Sequence, residues 1–192
     1  MRPIIIAAAV LCLAPAVASA QPGGFGIKGG LSFGNVSNSG LLPGNVTQRT
    51  GFAFGVSGVT SGMLGIGAEL LYAQRGVTSS VAADTRQLDY LDIPVYVRLA
   101  LPMAAVTPFA YAGPQASFEL KCGAGSFDCP DTGRPKATFA GVIGAGLRLG
   151  AGHGLSVEGR YVYGLTDLKL DTVSSSKSYQ TRSFLLLAGI AF

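Results

Sequence analysis

From position 24 onward, apolar and polar residues alternate at every second position, and no 3.6-residue period is sustained. In GFGIKGGLSF (residues 24–33), Phe25, Ile27, Leu31 and Phe33 share one face, with Lys28 and Ser32 on the other. Residues 51–59 set Phe52, Phe54 and Val56 against Ala53, Gly55 and Ser57. Residues 65–75 place Leu70 and Tyr72 opposite Glu69, Ala73 and Arg75. In residues 90–100 the row Leu91, Ile93, Val95, Val97, Leu99 faces away from Asp92, Tyr96 and Arg98. Residues 155–164 set Leu155, Val157, Tyr161 and Tyr163 against Ser156, Glu158 and Arg160. Residues 182–192 repeat the pattern with Phe184, Leu186, Ala188, Ile190 and Phe192 on the apolar face. Two more stretches, 106–115 and 138–150, read as strands whose faces alternation alone does not assign. The pattern therefore predicts eight strands of about ten residues, the length that crosses a bilayer at a steep tilt.

The connections sort by parity. Residues 35–50, 76–85, 117–136 and 166–181 are longer, while 61–64, 102–105 and 151–154 are tight. A barrel with long outer loops and short inner turns produces that sequence, whereas a soluble sandwich has no reason to. In lipid every backbone N–H and C=O needs a partner within the protein, which excludes an open sheet. The expected fold is all-β: an eight-stranded antiparallel transmembrane β-barrel over residues 21–192, with both termini periplasmic.

Composition fits this picture. Only 12% of residues are charged, against about a quarter in ordinary soluble domains. After the first twenty residues no apolar run is long enough for a spanning helix. Those twenty, MRPIIIAAAVLCLAPAVASA, carry Arg2, a short apolar run and Ala18-Ser19-Ala20, and predict a secretory signal cut before Gln21. Leu11 before Cys12 does not make a lipobox. The rest holds 13 basic and 10 acidic residues, scattered along the chain. That excludes the basic stripe nucleic-acid binding needs, so no nucleic-acid partner is expected.

An eight-stranded barrel has a lumen that side chains just fill. Gly26, Gly30, Gly55, Gly67, Gly144, Gly146 and Gly164 suit such crowding. Inward charges must pair, because an unpaired buried charge is costly. Lys28, Arg75, Arg98, Arg148 and Arg160 are expected to meet Glu69, Asp92 and Glu158, with Glu69 and Arg98 the pair of greatest interest. Val59, Leu71, Leu185 and Leu187 also fall inward. They either line an apolar pocket or mark a register shift at a bulge.

Chemistry beyond this is sparse. Export makes a Cys122–Cys129 disulfide reasonable, the alternative being two free thiols in a loop. His153 is the single histidine; Ser156 is the nearest serine, and their tight turn is expected at the inner rim, opposite the outer leaflet where a lipid-modifying pair would work. Asp131-Thr132-Gly133 matches an aspartic-protease triplet, but such an enzyme needs two carboxylates sharing a proton. The glycines of GVIGAGLRLG lack the strand–helix context of a nucleotide loop. No catalytic residue, cofactor or metal is expected.

Taken in order, GIKGGLSF, ELLYAQRG, YLDIPVYVRLA, PFAYAGP, GAGLRLG, GRYVYGLTDL and the final Phe192 carry a family resemblance. The chain resembles the small outer-membrane β-barrel proteins of Gram-negative bacteria, of the PorT-like and OmpA-like kind. The resemblance implies location in the bacterial outer membrane, among lipid and lipopolysaccharide. It also implies that the barrel-assembly machinery reads Phe192. Such barrels serve as anchors, adhesins, small-solute channels and occasionally enzymes. The leading expectation is a structural or loop-mediated interaction protein with a plugged lumen and a loop partner still to be identified. The alternative is a narrow channel or transporter for a small or apolar solute, ahead of a lipid-modifying enzyme.

Overall fold

The computed structural model describes residues 24–36, 46–79, 85–101, 103, 105–124, 127–128, 136–150, 154–165 and 181–192. The expected signal segment lies outside them. The two-faced stretches become strands β1 (Gly24–Val36), β2 (Val46–Val59), β3 (Leu64–Ser79), β4 (Thr85–Ala100), β5 (Val106–Ala124), β7 (Ala137–Leu149), β8 (Gly154–Gly164) and β9 (Thr181–Ala191). A two-residue strand, β6 (Phe127–Asp128), folds back onto the end of β5. Each long strand pairs antiparallel with the next. The ring closes where β1 meets β9, from Gly26 opposite Ala191 to Val36 opposite Thr181. Closure removes the free edges that hydrocarbon could not satisfy. The result is a closed eight-stranded antiparallel barrel.

The outer face is apolar all round. Phe25, Ile27, Phe54, Val97, Ile143, Leu147, Val157 and Leu186 all project from the wall. Phe52, Phe54 and Tyr72 form an outward aromatic cluster, with Phe54 and Tyr72 centroids 5.1 Å apart. The faces that alternation left open are now assigned. On β5, Phe109, Tyr111, Gln115 and Ser117 are buried inside, and Ala110 and Ala112 face out. On β7, Ala140 and Val142 point in, and Phe139, Ile143 and Leu147 point out.

The strands run further at the outer end than their pattern predicted. Loops expected at 35–50, 76–85 and 117–136 give way to paired backbone: Val46 opposite Ser79, Thr78 opposite Thr85, Leu88 opposite Cys122. Beyond the hydrocarbon the ladder still pairs backbone groups, but neither face has to be apolar. Alternation, the signal used to recognise strands, therefore need not persist there, although Phe118 and Leu120 still alternate with Glu119 and Lys121.

At the opposite end the connections are short, and Gly62 (φ 114°) and Gly150 (φ 89°) adopt the left-handed backbone their turns require. The register is continuous where it matters for the lumen. Leu71 sits opposite Gly55 on one side and Asp92 on the other. The shifts lie further out, between Gln48 and Ala53 and between Asp89 and Tyr90. The inward leucines are therefore not displaced by a bulge; they belong to the interior.

Candidate functional site

The inward residues stack in layers along the axis, because each strand offers its alternate side chains in a fixed order. From the tight-turn end outward, β3 presents Gly67, Glu69, Leu71, Ala73 and Arg75. In the same direction β4 presents Arg98, Tyr96, Asp92 and Tyr90, and β8 presents Ser156, Glu158, Arg160 and Val162.

The second of these layers is an ion-pair cluster. Lys28 of β1 donates to Glu69 Oε1 at 2.8 Å and to Glu158 Oε2 at 3.1 Å. Arg160 donates from Nη2 to Glu69 Oε2 at 2.6 Å and to Glu158 Oε1 at 2.9 Å. Two cations thus bridge two carboxylates across the lumen, from strands β1, β3 and β8. Two phenols complete the set. Tyr96 Oη donates to Glu69 Oε1 at 2.6 Å, and Tyr111 Oη donates to Glu158 Oε1 at 3.0 Å. Arg160 Nε donates to Tyr111 Oη at 2.8 Å. Arg160 is only 1% exposed, and Glu69 and Glu158 are each 4% exposed. A buried ion pair offsets its desolvation only when its geometry is good and its remaining valences are met. Nearly every valence of the two carboxylates is met here.

The glycines make room for this layer. A Cβ on Gly67 would lie 2.3 Å from the Tyr96 ring, and one on Gly144 would lie 2.3 Å from the Tyr111 ring. The two rings lean together with centroids 4.5 Å apart. Tyr96 was expected on the inward face of its strand, and Tyr111 lay in a stretch whose faces alternation did not assign. The available signal was an inward aromatic opposite a glycine on the neighbouring strand, a pairing visible only once the register is known.

Outward of the ions lies an apolar layer. Leu71, Leu185 and Leu187 are 0–1% exposed, so solvent reaches them from neither end. Ala53, Val142 and Val162 share a packed core with Leu185 and Leu187. Further out, Arg75 pairs with Asp92 and lies over the Tyr90 ring at 5.1 Å. Gln115 donates to Ser117 Oγ beside them at 3.0 Å.

Inward of the ions is a vestibule. Arg98 and Arg148 flank a recess of about 70 Å³ whose floor includes Lys28, Tyr96 and Glu158. The expected Glu69–Arg98 pair does not form; Glu69 is held by Lys28 and Arg160 instead. Register explains this: Arg98 lies opposite Gly65, at the turn-side end of β3, and its guanidinium stacks over Phe109 at 5.6 Å. Of the eight expected lumen charges, Lys28, Glu69, Glu158 and Arg160 form one cluster, and Arg75 and Asp92 form a separate pair. Arg98 and Arg148 stand at the inner mouth. Phe192 lies at the same end; its N–H donates to the Phe25 carbonyl at 2.6 Å, and both rings project outward. Cys129, Asp131 to Gly133 and His153 lie outside the described residues, and with Cys129 the expected disulfide to Cys122.

The profile of the outer membrane protein β-barrel domain matches residues 4–192. The chain belongs to that family. It is an outer-membrane barrel of Gram-negative type, sited in the bacterial outer membrane among its lipid and lipopolysaccharide. No curated protein matches it. Among solved structures, Neisserial surface protein A is similar over 88% of this chain and 97% of its own, at 13% identity and a TM-score of 0.55. The attachment invasion locus protein Ail of Yersinia pestis, in complex with the heparin analogue sucrose octasulfate, covers 90% of this chain and 100% of its own. It has 16% identity and a TM-score of 0.50. OprG of Pseudomonas aeruginosa covers 90% and 97%, at 11% identity and a TM-score of 0.50. At such identities the likeness is one of fold.

Proposed function

We propose that this barrel is a non-enzymatic membrane protein with a plugged lumen, whose role is structural or is carried by contacts of its outer loops. The observation that supports this reading most is how the lumen is filled. The ion-pair cluster and Leu71, Leu185 and Leu187 fill the interior together, and the side chains of both are almost wholly shielded from solvent. A transporting lumen needs polar surface open to water along its length. Here the central polar groups bind one another instead.

Single-channel recording in a planar bilayer tests the reading. Purified wild-type barrel is expected to give no stable current. Reproducible steps of conductance would replace the plugged barrel with a narrow channel.

A further inference from the structure

We propose that the inner mouth of the barrel binds a small tetrahedral oxyanion of the phosphate or sulfate class. The site is the recess of about 70 Å³ between the ion-pair layer and the tight turns. That volume has room for about five waters, enough for such an anion with part of its hydration.

Three observations carry the inference. First, Arg98 has no direct partner for its charge: Glu158, the carboxylate that shares the recess, is bonded to Lys28 and Arg160. Arg98 makes no ion pair among the described residues, and its Nε is buried without a hydrogen-bond acceptor. The two carboxylates of the plug are already bridged by Lys28 and Arg160. Stacking over Phe109 engages the face of the guanidinium and leaves its N–H edge to seek an acceptor. Second, donors converge on the same recess. Arg148, which has contacts of its own, brings a second guanidinium, and the Ser57 hydroxyl bonds no partner among the described residues. Third, hydroxyls join Phe109 and Val59 in the lining, among them Thr60 and Ser156. Thr60 Oγ1 accepts the Ile66 N–H at 2.8 Å and keeps its own proton to donate.

A tetrahedral oxyanion suits this set better than a halide or a carboxylate. It offers several acceptor oxygens in different directions, so it can take a two-pronged contact from one guanidinium and still meet a second donor. A carboxylate has only two oxygens, and a halide gives no directed pair.

Isothermal titration of the intact barrel in non-ionic detergent and chloride-free buffer tests the proposal, with inorganic phosphate as the probe. Saturable binding at one site is expected, with sulfate competing and acetate much weaker. Arg98→Gln should weaken phosphate binding by about tenfold or more, the usual consequence of losing a hydrogen bond to a charged group. Ser61→Asp guards against a folding artefact. It lies on an exposed turn at the mouth, leaves the plug intact, and should also weaken binding by presenting a competing carboxylate. The proposal fails if folded wild type shows no saturable binding of phosphate or sulfate. It fails equally if both variants bind as wild type does. Binding to phosphatidylglycerol vesicles without binding to free phosphate would also overturn it, because the ligand would then be a lipid headgroup. None of these outcomes depends on whether the lumen conducts.

Discussion

At the scale of single residues, Arg160 is the pivot of the interior. One guanidinium meets Glu69, Glu158 and Tyr111, from three other strand positions. Replacing it with Ala leaves two buried carboxylates sharing Lys28 alone, and should cost about 3–5 kcal/mol in urea unfolding from lipid vesicles. A cost below about 1 kcal/mol would mean that water enters and solvates the pair. Glycine positions offer a second contrast. Gly144→Ala drives a methyl into the Tyr111 ring and should cost about 1–3 kcal/mol, because the ring must abandon its bonds to Arg160 and Glu158. Gly141→Ala points outward with nothing within 4 Å, so its effect should stay within about 0.5 kcal/mol. Equal effects would show that the crowding lies elsewhere. Which residues are inward was largely legible, since Lys28, Glu69, Glu158 and Arg160 each fall on the polar phase of their strands. Who meets whom was not. Glu69 and Arg160 are 91 positions apart, and only the closed register brings them within 2.6 Å.

At the scale of the strand, two-facedness is both the sequence signal and the structural rule. Residues 90–100 show it most fully: Val95, Val97 and Leu99 face out while Asp92, Tyr96 and Ala100 are buried. Val95→Lys puts an ammonium near mid-membrane and should destabilise the barrel by about 2–4 kcal/mol. Met103→Lys, in an exposed inner connection, should cost no more than about 1 kcal/mol. Urea titrations of the two variants in vesicles compare them directly, and equal costs would mean the row does not touch lipid. The same rule explains where strand prediction fell short. Between Ser117 and Ala124 the chain still pairs with β4, yet Phe118 and Leu120 alternate with Glu119 and Lys121 in a segment also rich in loop formers. The alternation persists as far as Lys121, and the glycine-rich, cysteine-bearing stretch that follows is what masks the strand. Phe109 and Tyr111 were ambiguous for a related reason. The lipid side of β5 carries alanines and prolines, so the large residues point inward and invert the usual contrast of size.

At the scale of the whole molecule, the proposed plug has two parts, one ionic and one apolar, and Tyr96 and Tyr111 touch both. The ion-pair layer is held by directional bonds among Lys28, Glu69, Glu158 and Arg160. The next layer is held by burial of Leu71, Leu185 and Leu187 against small neighbours. Glu69→Ala removes one carboxylate, yet Lys28 and Arg160 still share Glu158, and the leucines above remain untouched. That variant should be less stable but still electrically silent in a planar bilayer. Leu71→Ala with Leu185→Ala opens space in the second layer, at about 2–5 kcal/mol for each truncation, while the ions still bridge the lumen below. It too should be silent. Only the triple change weakens both parts at once, at neighbouring positions on β3 and β9, and it should conduct. Leakage from Glu69→Ala alone would show that the leucines do not seal, leaving the ion pairs as the only barrier. Silence from a correctly folded triple variant would assign closure to the tyrosines, because Tyr96 and Tyr111 would then span the lumen without the acid that Tyr96 donates to.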